Sequence, residues 1–193
     1  MNYEFADKAI RDMNRRNLRA FDGIKTLKFD ELNVMKYVTK VYADAVKLAK
    51  KRYLQIALEA YRLAKGKKKI DRDWILDMLE EYDPVTMYLY EPEAERKKDR
   101  TVEAVLSSPN KIEAVDKALK LWTLQNTHYA EKSVDKATLQ AFEDNGIKKV
   151  RWVTAEDEKV CAECRKRDGK VYPIDKLPPK PHYRCRCTYE PVK

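Results

Sequence analysis

All four cysteines of the chain lie in its last 33 residues, in a pattern that can bind a metal ion. The pattern reads Cys161-x2-Cys164, then His182-x2-Cys185, with Cys187 two residues later. Two ligand pairs separated by a short spacer are what a tetrahedral zinc site requires of a sequence. The segment has few large apolar residues, so we expect a bound ion to hold it folded.

The sequence is compatible with two sets of four ligands, which differ in the fourth residue. Cys185 and Cys187 are two residues apart, so on an extended strand their side chains would face opposite sides. The simplest set is therefore Cys161, Cys164, His182 and Cys185, with Cys187 as the alternative to His182. Zinc suits mixed sulfur and nitrogen ligands, and four protein ligands predict a structural ion. Iron, an empty reduced site and disulfides are alternatives, although disulfides need an oxidising compartment and the charged first residues predict no export signal.

Composition predicts a mainly helical protein. Apolar residues make up 44% of the 193, enough for a core, while 38% are charged and only four are glycine. This combination is typical of long, solvated helices. The longest apolar run, Met87–Tyr90, is far too short to cross a bilayer, so we expect no membrane association.

The net charge of +9 is unevenly distributed. Residues 1–70 carry 18 basic against 8 acidic side chains, residues 71–160 carry 14 against 20, and residues 161–193 carry 9 against 4. The basic ends indicate contact with nucleic acid or an acidic protein, unless they are simply solvated helix faces. In the cysteine-rich segment the candidate nucleic-acid contacts are Arg165, Lys166, Arg167, Lys170, Arg184 and Arg186.

Hydrophobic periodicity predicts helices up to about residue 146. The first covers residues 2–20 and ends near Gly23, and a second of about nine turns runs from the cap Asp30 to Gly66 and needs a partner helix. A short helix after Asp71, an extended segment over 85–92 and a helix over 93–107 follow. Ser108-Pro109 then predicts the start of a helix that reaches Phe142 and Gly146, with one break left open between Thr127 and Ser133.

After Gly146 the pattern changes to strands and turns. Val150–Val153 is a predicted strand, Asp168-Gly169 a turn, Val171–Pro173 a second strand, and Thr188-Tyr189 the edge that closes a small sheet. The sequence therefore predicts a helical domain at 1–146 and a small zinc-binding α+β module at 147–193. Trp152 is expected to cover the module and join it to the helices.

Several motifs of this segment resemble the phage head morphogenesis proteins of the Mu F-like group. They are Trp152-Val-Thr-Ala, Val160-Cys-Ala-Glu-Cys164, Asp168-Gly-Lys-Val-Tyr-Pro173, Leu177-Pro-Pro179 and His182-Tyr-Arg-Cys-Arg-Cys187. The resemblance is strong over residues 146–191 and weak over Tyr88–Ala104. It departs from the family at Tyr183, where proline is usual, and at Asn126–Glu131, where the family often has an Arg-Thr-Glu-like segment.

The resemblance implies a minor head protein, a virion component made in the host cytoplasm. It implies an oligomeric setting in the particle, contact with the portal or the major capsid protein, possible access to packaged DNA, and no enzymatic activity. The alternative hypothesis is a zinc module that binds nucleic acid without a capsid role, using stacking tyrosines beside its basic side chains.

Catalysis is not expected. A metal-dependent nuclease of the ββα kind needs a ligand histidine and a second histidine as general base. The chain has only His128 and His182, and the latter is already a predicted zinc ligand. His128 lies in a predicted helix, where a packed or surface histidine is the usual interpretation.

Overall fold

The computed structural model describes residues 4–68, 73–74, 77, 91–155, 157–182 and 185–193. It is mainly helical with a small three-stranded sheet near the C-terminal end, which confirms the predicted fold class. The long helices are, in order, α1 (Glu4–Asp22), α2 (Glu31–Leu63), α3 (Glu91–Ser107) and α4 (Lys111–Asp144). A single 3-10 turn, Gly23–Thr26, links α1 to α2 at the glycine where the sequence predicts a break. None of the described helices is apolar enough over a sufficient length to cross a bilayer.

Both ends of α2 follow from local chemistry. The Asp30 side chain caps the start by accepting a hydrogen bond from the backbone N–H of Asn33 at 2.9 Å, as predicted. At the other end the N–H of Gly66 donates to the carbonyl of Tyr61 and the N–H of Lys65 to that of Arg62. This is the Schellman arrangement, in which the residue after the cap takes a left-handed conformation.

The left-handed residue that ends α2 is Lys65, with φ of 60°, and not Gly66. Gly66 is required for a different reason: a Cβ there would lie 2.0 Å from a ring carbon of Tyr61. Helix α4 ends with the same pair of bonds, but there Gly146 occupies the left-handed position, with φ of 78°. The helix therefore ends close to the predicted Gly66, although Lys65 and not the glycine is left-handed.

We expect Lys65→Gly to stabilise the protein. A left-handed conformation costs a non-glycine residue roughly 1–2 kcal/mol, and the extra backbone entropy of glycine offsets part of the gain, leaving about 0.5–1 kcal/mol. Urea unfolding would measure this, with Lys67→Gly in the following loop as the matched control. A midpoint that falls, or rises no more than in the control, would contradict the expectation.

Helices α3 and α4 differ from the prediction at their starts. Helix α3 begins at Glu91, within the segment predicted to be extended. Helix α4 begins at Lys111, capped by the Asn110 side chain, which accepts from the N–H of Glu113 at 3.1 Å. The hydroxyl of Ser108 instead bonds to the backbone of Asn110, so the Ser-Pro pair forms the turn before the helix. Of the predicted helix after Asp71 the structure describes only residues 73–74 and 77, which are helical, and the extended residues 85–90 lie outside the described residues.

The partner of α2 is α4 of the same chain, with α1 and α3 packed against both. Tyr53 of α2 meets Tyr129 of α4 edge to face, with ring centroids 6.2 Å apart. Helix α4 runs without a break through Thr127–Ser133, where the Ser133 hydroxyl donates to the carbonyl of Tyr129 inside the helix. The helices therefore share one core, which continues towards the sheet.

The C-terminal segment forms strands β1 (Lys149–Val153), β2 (Val171–Pro173) and β3 (Thr188–Val192), with a short helix α5 (Ala162–Arg167) between β1 and β2. Both outer strands pair antiparallel with β1, in the order β2-β1-β3. Trp152 on β1 is fully buried and meets Tyr189 on β3 edge to face at 5.5 Å. The predicted strands are thus confirmed, and Trp152 lies at the centre of the module.

Candidate metal centre

Helix α5 places the first two cysteines. Cys161 is its N-terminal cap, and the Cys161 sulfur accepts from the backbone N–H of Cys164 at 3.4 Å. One turn of helix therefore brings both sulfurs to the same side, in a segment where the sequence predicted only strands and turns. The available signal was the charge order, with Glu163 in the first turn and basic residues in the last, which suits the helix dipole.

The predicted ligands converge on Cys164. Its sulfur lies 3.5 Å from the sulfur of Cys185 and 3.9 Å from Nε2 of His182. The same imidazole nitrogen lies 3.2 Å from the sulfur of Cys161. These side chains, with Cys187, line a cavity of about 20 Å³, which has room for one ion and no larger molecule.

Cys187 belongs to the same cluster. Two groups of three could each hold a metal ion: Cys161, Cys164 and His182, and Cys164, Cys185 and Cys187, each with its ligand atoms within 4.8 Å of one another. Cys185 and Cys187 precede β3, and both are buried beside Cys164, so the expectation that they face opposite sides does not hold. The structure brings together all five candidate ligands, of which His182 is the exposed one.

The thiols differ in how readily they ionise. The N–H of Cys164, together with the nearby His182 ring, lowers the pKa of Cys161 to about 7. Burial and then the adjacent thiols raise the pKa of Cys164 far above its usual range, and burial also raises that of Cys185. A coordinated divalent cation would reverse the pKa shifts of the buried thiols, because a metal-bound thiol is deprotonated.

Basic side chains hold the loops around the cluster. Arg165 donates to the carbonyl of Val160 at 3.0 Å, and Arg167 donates to that of Pro179 at 2.7 Å while lying 5.2 Å from the centre of the Trp152 ring. Arg186 donates to the two carboxylate oxygens of Asp157 through its two terminal guanidinium nitrogens. Three of the predicted nucleic-acid contacts are thus engaged within the module, Lys166 pairs with Glu163 and Lys170 is exposed. Arg184 lies outside the described residues.

One ion pair ties the module to the helices. Lys180, two residues before His182, lies 2.7 Å from one carboxylate oxygen of Asp135 on α4 and 2.9 Å from the other. Only 15% of the lysine side chain and 12% of the aspartate side chain are exposed. Burial opposes the charge of Lys180, but the adjacent Asp135 carboxylate outweighs it and keeps the pKa of the lysine above its usual value. This contact joins residues 45 apart and was not predicted.

The two histidines of the chain line a second cavity beside this ion pair. It has a volume of about 480 Å³ and lies between α4, which supplies His128, and the approach to His182. His128 is half-buried, and its ring lies beside that of Tyr129 at 5.8 Å.

A comparison with known protein families matches the half of the chain that contains the metal cluster. The model of the family described as Phage Mu protein F like protein matches residues 94–190, just over half of the sequence. The protein belongs to the phage Mu protein F-like family. No curated protein and no solved structure matches the chain.

The F-like region is larger than the motifs of the sequence indicated. It covers most of α3, all of α4 and the module up to β3, so the helix that carries Asp135 is part of it. The cysteine cluster lies at one end of this region and the ion pair of Asp135 with Lys180 joins its two parts. The family connects the protein with phage heads, and the cluster is able to hold a metal ion.

Proposed function

We propose that the protein is a minor head component that acts in head morphogenesis. It would be made in the host cytoplasm, enter the virion in several copies, and contact the portal or major capsid protein and the packaged DNA. The observation that carries this proposal is the match of the F-like family model to α3, α4 and the module together. Its role is structural and not enzymatic, with the module as a rigid docking unit on the end of α4.

The metal in this proposal is zinc. Zinc bound at about 2.3 Å from sulfur and 2.0–2.1 Å from nitrogen in a tetrahedron separates its ligand atoms by roughly 3.5–3.8 Å. The distances of 3.2, 3.5 and 3.9 Å within the cluster bracket that range. Zinc would be held by Cys161, Cys164 and Cys185, with His182 or Cys187 as the fourth ligand. A site filled by four protein ligands has no position for a substrate, which favours a structural ion.

Measuring the metal content of two variants identifies the fourth ligand. Purified His182→Ala and Cys187→Ala proteins would be compared with the unsubstituted chain by elemental analysis and a free-thiol count. The substitution that removes the ion, or weakens its affinity at least about tenfold, identifies the ligand. Purified protein with no zinc and fewer than four free thiols would refute the zinc proposal in favour of disulfides.

The alternative function, nucleic-acid binding by the module alone, has less support. Its guanidinium groups at Arg165, Arg167 and Arg186 are occupied by carbonyl and carboxylate partners. A phosphate would have to displace these contacts before it could bind.

The test of the head role is made in the phage. Particles would be purified from a gene deletion complemented with the unsubstituted protein, with Cys161→Ser/Cys164→Ser, or with the control Ala162→Ser, which changes an exposed residue between the two cysteines. We expect the protein in particles, and the double cysteine variant to lose incorporation and infectivity. Absence of the unsubstituted protein from both virions and procapsids, with normal assembly after deletion, would refute the proposal.

A further inference from the structure

A row of lysines covers the outer face of α2. Lys36, Lys40, Lys47 and Lys51 are exposed, and the half-buried Lys50 lies beside them. Successive residues of a helix are turned by about 100°, so the four exposed positions fall within about 60° of one another. The buried positions Val38, Ala45, Ala49 and Ile56 lie on the opposite side. We call these five lysines the α2 lysine face.

The α2 lysine face differs from several other charged positions of the helices. Lys25 pairs with Asp116 at 2.7 Å, Lys117 with Glu113 at 2.9 Å and Arg62 with Glu59. Within the described part of the chain none of the five lysines forms an ion pair. Asp44 is the single acidic residue between Leu32 and Leu58 of this helix, and it too forms no ion pair there. No acidic side chain of the described residues therefore offsets the positive charge of this face.

The composition of the face indicates the class of partner. Between its lysines lie the exposed residues Thr39, Ala43 and Asp44, with no large apolar or aromatic side chain. Protein interfaces are depleted in lysine and anchored by aromatic residues, whereas nucleic-acid interfaces are strongly positive. Single strands are usually held by aromatic stacking, which is absent from this face. The lysine ammonium binds phosphate as a point charge, and a phosphate contact carries no sequence information.

The dimensions suit a duplex. Lys36 and Lys51 are 15 residues apart, which is about 22 Å along a helix, or roughly six to seven base pairs of B-form DNA. The five ammonium groups are carried on a continuous helix that is packed on its other side against α4, so they are spaced before the partner arrives. A row on a folded helix loses less backbone entropy on binding than a flexible basic tail.

We propose that the α2 lysine face binds the phosphate backbone of double-stranded DNA without sequence preference. The proposal deepens the head role and rests on it for the source of the duplex, which is packaged DNA. It places the contact outside the F-like region and away from the metal module. Four or five phosphate contacts predict a slope of about −4 in a plot of log affinity against log salt concentration.

The test is fluorescence anisotropy of a labelled duplex of about 20 base pairs, titrated with the full chain at several salt concentrations. The variant replaces Lys36, Lys40, Lys47 and Lys51 by glutamine. The matched control replaces Lys148, Lys149, Lys170 and Lys176 by glutamine. These lysines are also exposed, and their replacement lowers the net charge of +9 by the same four units. All four control lysines lie in the segment 147–193 that contains the metal module.

We expect the α2 variant to lose affinity at least about tenfold at roughly 0.1 M salt and to lose three to four units of the salt slope. The control variant should keep most of its affinity and most of its salt slope. Arginine in place of lysine at the same four α2 positions should support binding. Helix content by circular dichroism checks the fold, since exposed glutamine and lysine have similar helix propensity.

Three results would overturn the proposal. They are an absence of duplex binding by the unsubstituted chain at low salt, an equal loss in the control, and tighter binding of a single strand or of polyglutamate than of the duplex. The last would indicate a single-stranded or acidic protein partner instead. Because the assay uses purified protein, its failure leaves incorporation into heads unaffected, and the two proposals fail separately.

Discussion

Replacing Cys161 by serine is expected to unfold residues 147–190 while α1 to α4 stay folded. Seven described side chains between 147 and 193 are buried, and three of them are cysteines of the metal cluster. The module therefore has little apolar core of its own, whereas a structural zinc ion supplies on the order of 10 kcal/mol to folding in small peptides. Chelation of zinc from the unsubstituted protein should have the same effect.

Serine is a useful replacement because Cys161 also caps α5. Serine is a strong N-cap, so the variant retains the helix signal and loses the metal ligand. Hydrogen exchange read by mass spectrometry would follow the amides of β1, with Ala162→Ser as the control in the same helix. Protection of β1 that persists in Cys161→Ser, or in the chelated protein, would mean that the metal does not hold the module together.

The second large effect is expected at the junction of the module with α4. Lys180→Met should destabilise the protein by about 3 kcal/mol, because it leaves the Asp135 carboxylate buried without its cation. Lys180 also lies 5.7 Å from the centre of the Tyr189 ring, so part of the loss reports that contact. Adding Asp135→Leu should restore most of the stability, since the pair is then replaced by apolar side chains.

Urea unfolding of the two single variants and the double variant forms a double-mutant cycle. Lys166→Met is the control, since it breaks the exposed ion pair with Glu163 and should leave the midpoint unchanged. If Lys180→Met costs no more than this control, or the double variant is no more stable than Lys180→Met, the junction does not depend on the ion pair.

Local signals in the sequence account for most of the fold. The spacing of Val38, Ala45, Ala49 and Ile56 identifies the buried face of α2, and Asp30 marks its start. The caps were less certain because several residues compete for the same role. Asn110 caps α4 although Ser108-Pro109 is the stronger pattern, and Lys65 takes the left-handed position although a glycine follows it.

The metal cluster could be predicted because its ligands are grouped in the sequence and few residue types bind zinc. The ion pair of Asp135 with Lys180 could not, since nothing local links a helix residue to one 45 positions later. The α2 lysine face could be predicted from the sequence only in part. Its charge is evident in the first 70 residues, but only the packed helix establishes which lysines share a side and have no ion-pair partner among the described residues.

The uninterrupted course of α4 has a mechanical consequence. Its 34 residues form a rod about 50 Å long, anchored near its start by the bond of Lys25 to Asp116 and bearing the module near its end at Asp135. Helix α4 has no break between Asp116 and Asp135. Force applied to the module would therefore be transmitted along α4 to the helices packed against it.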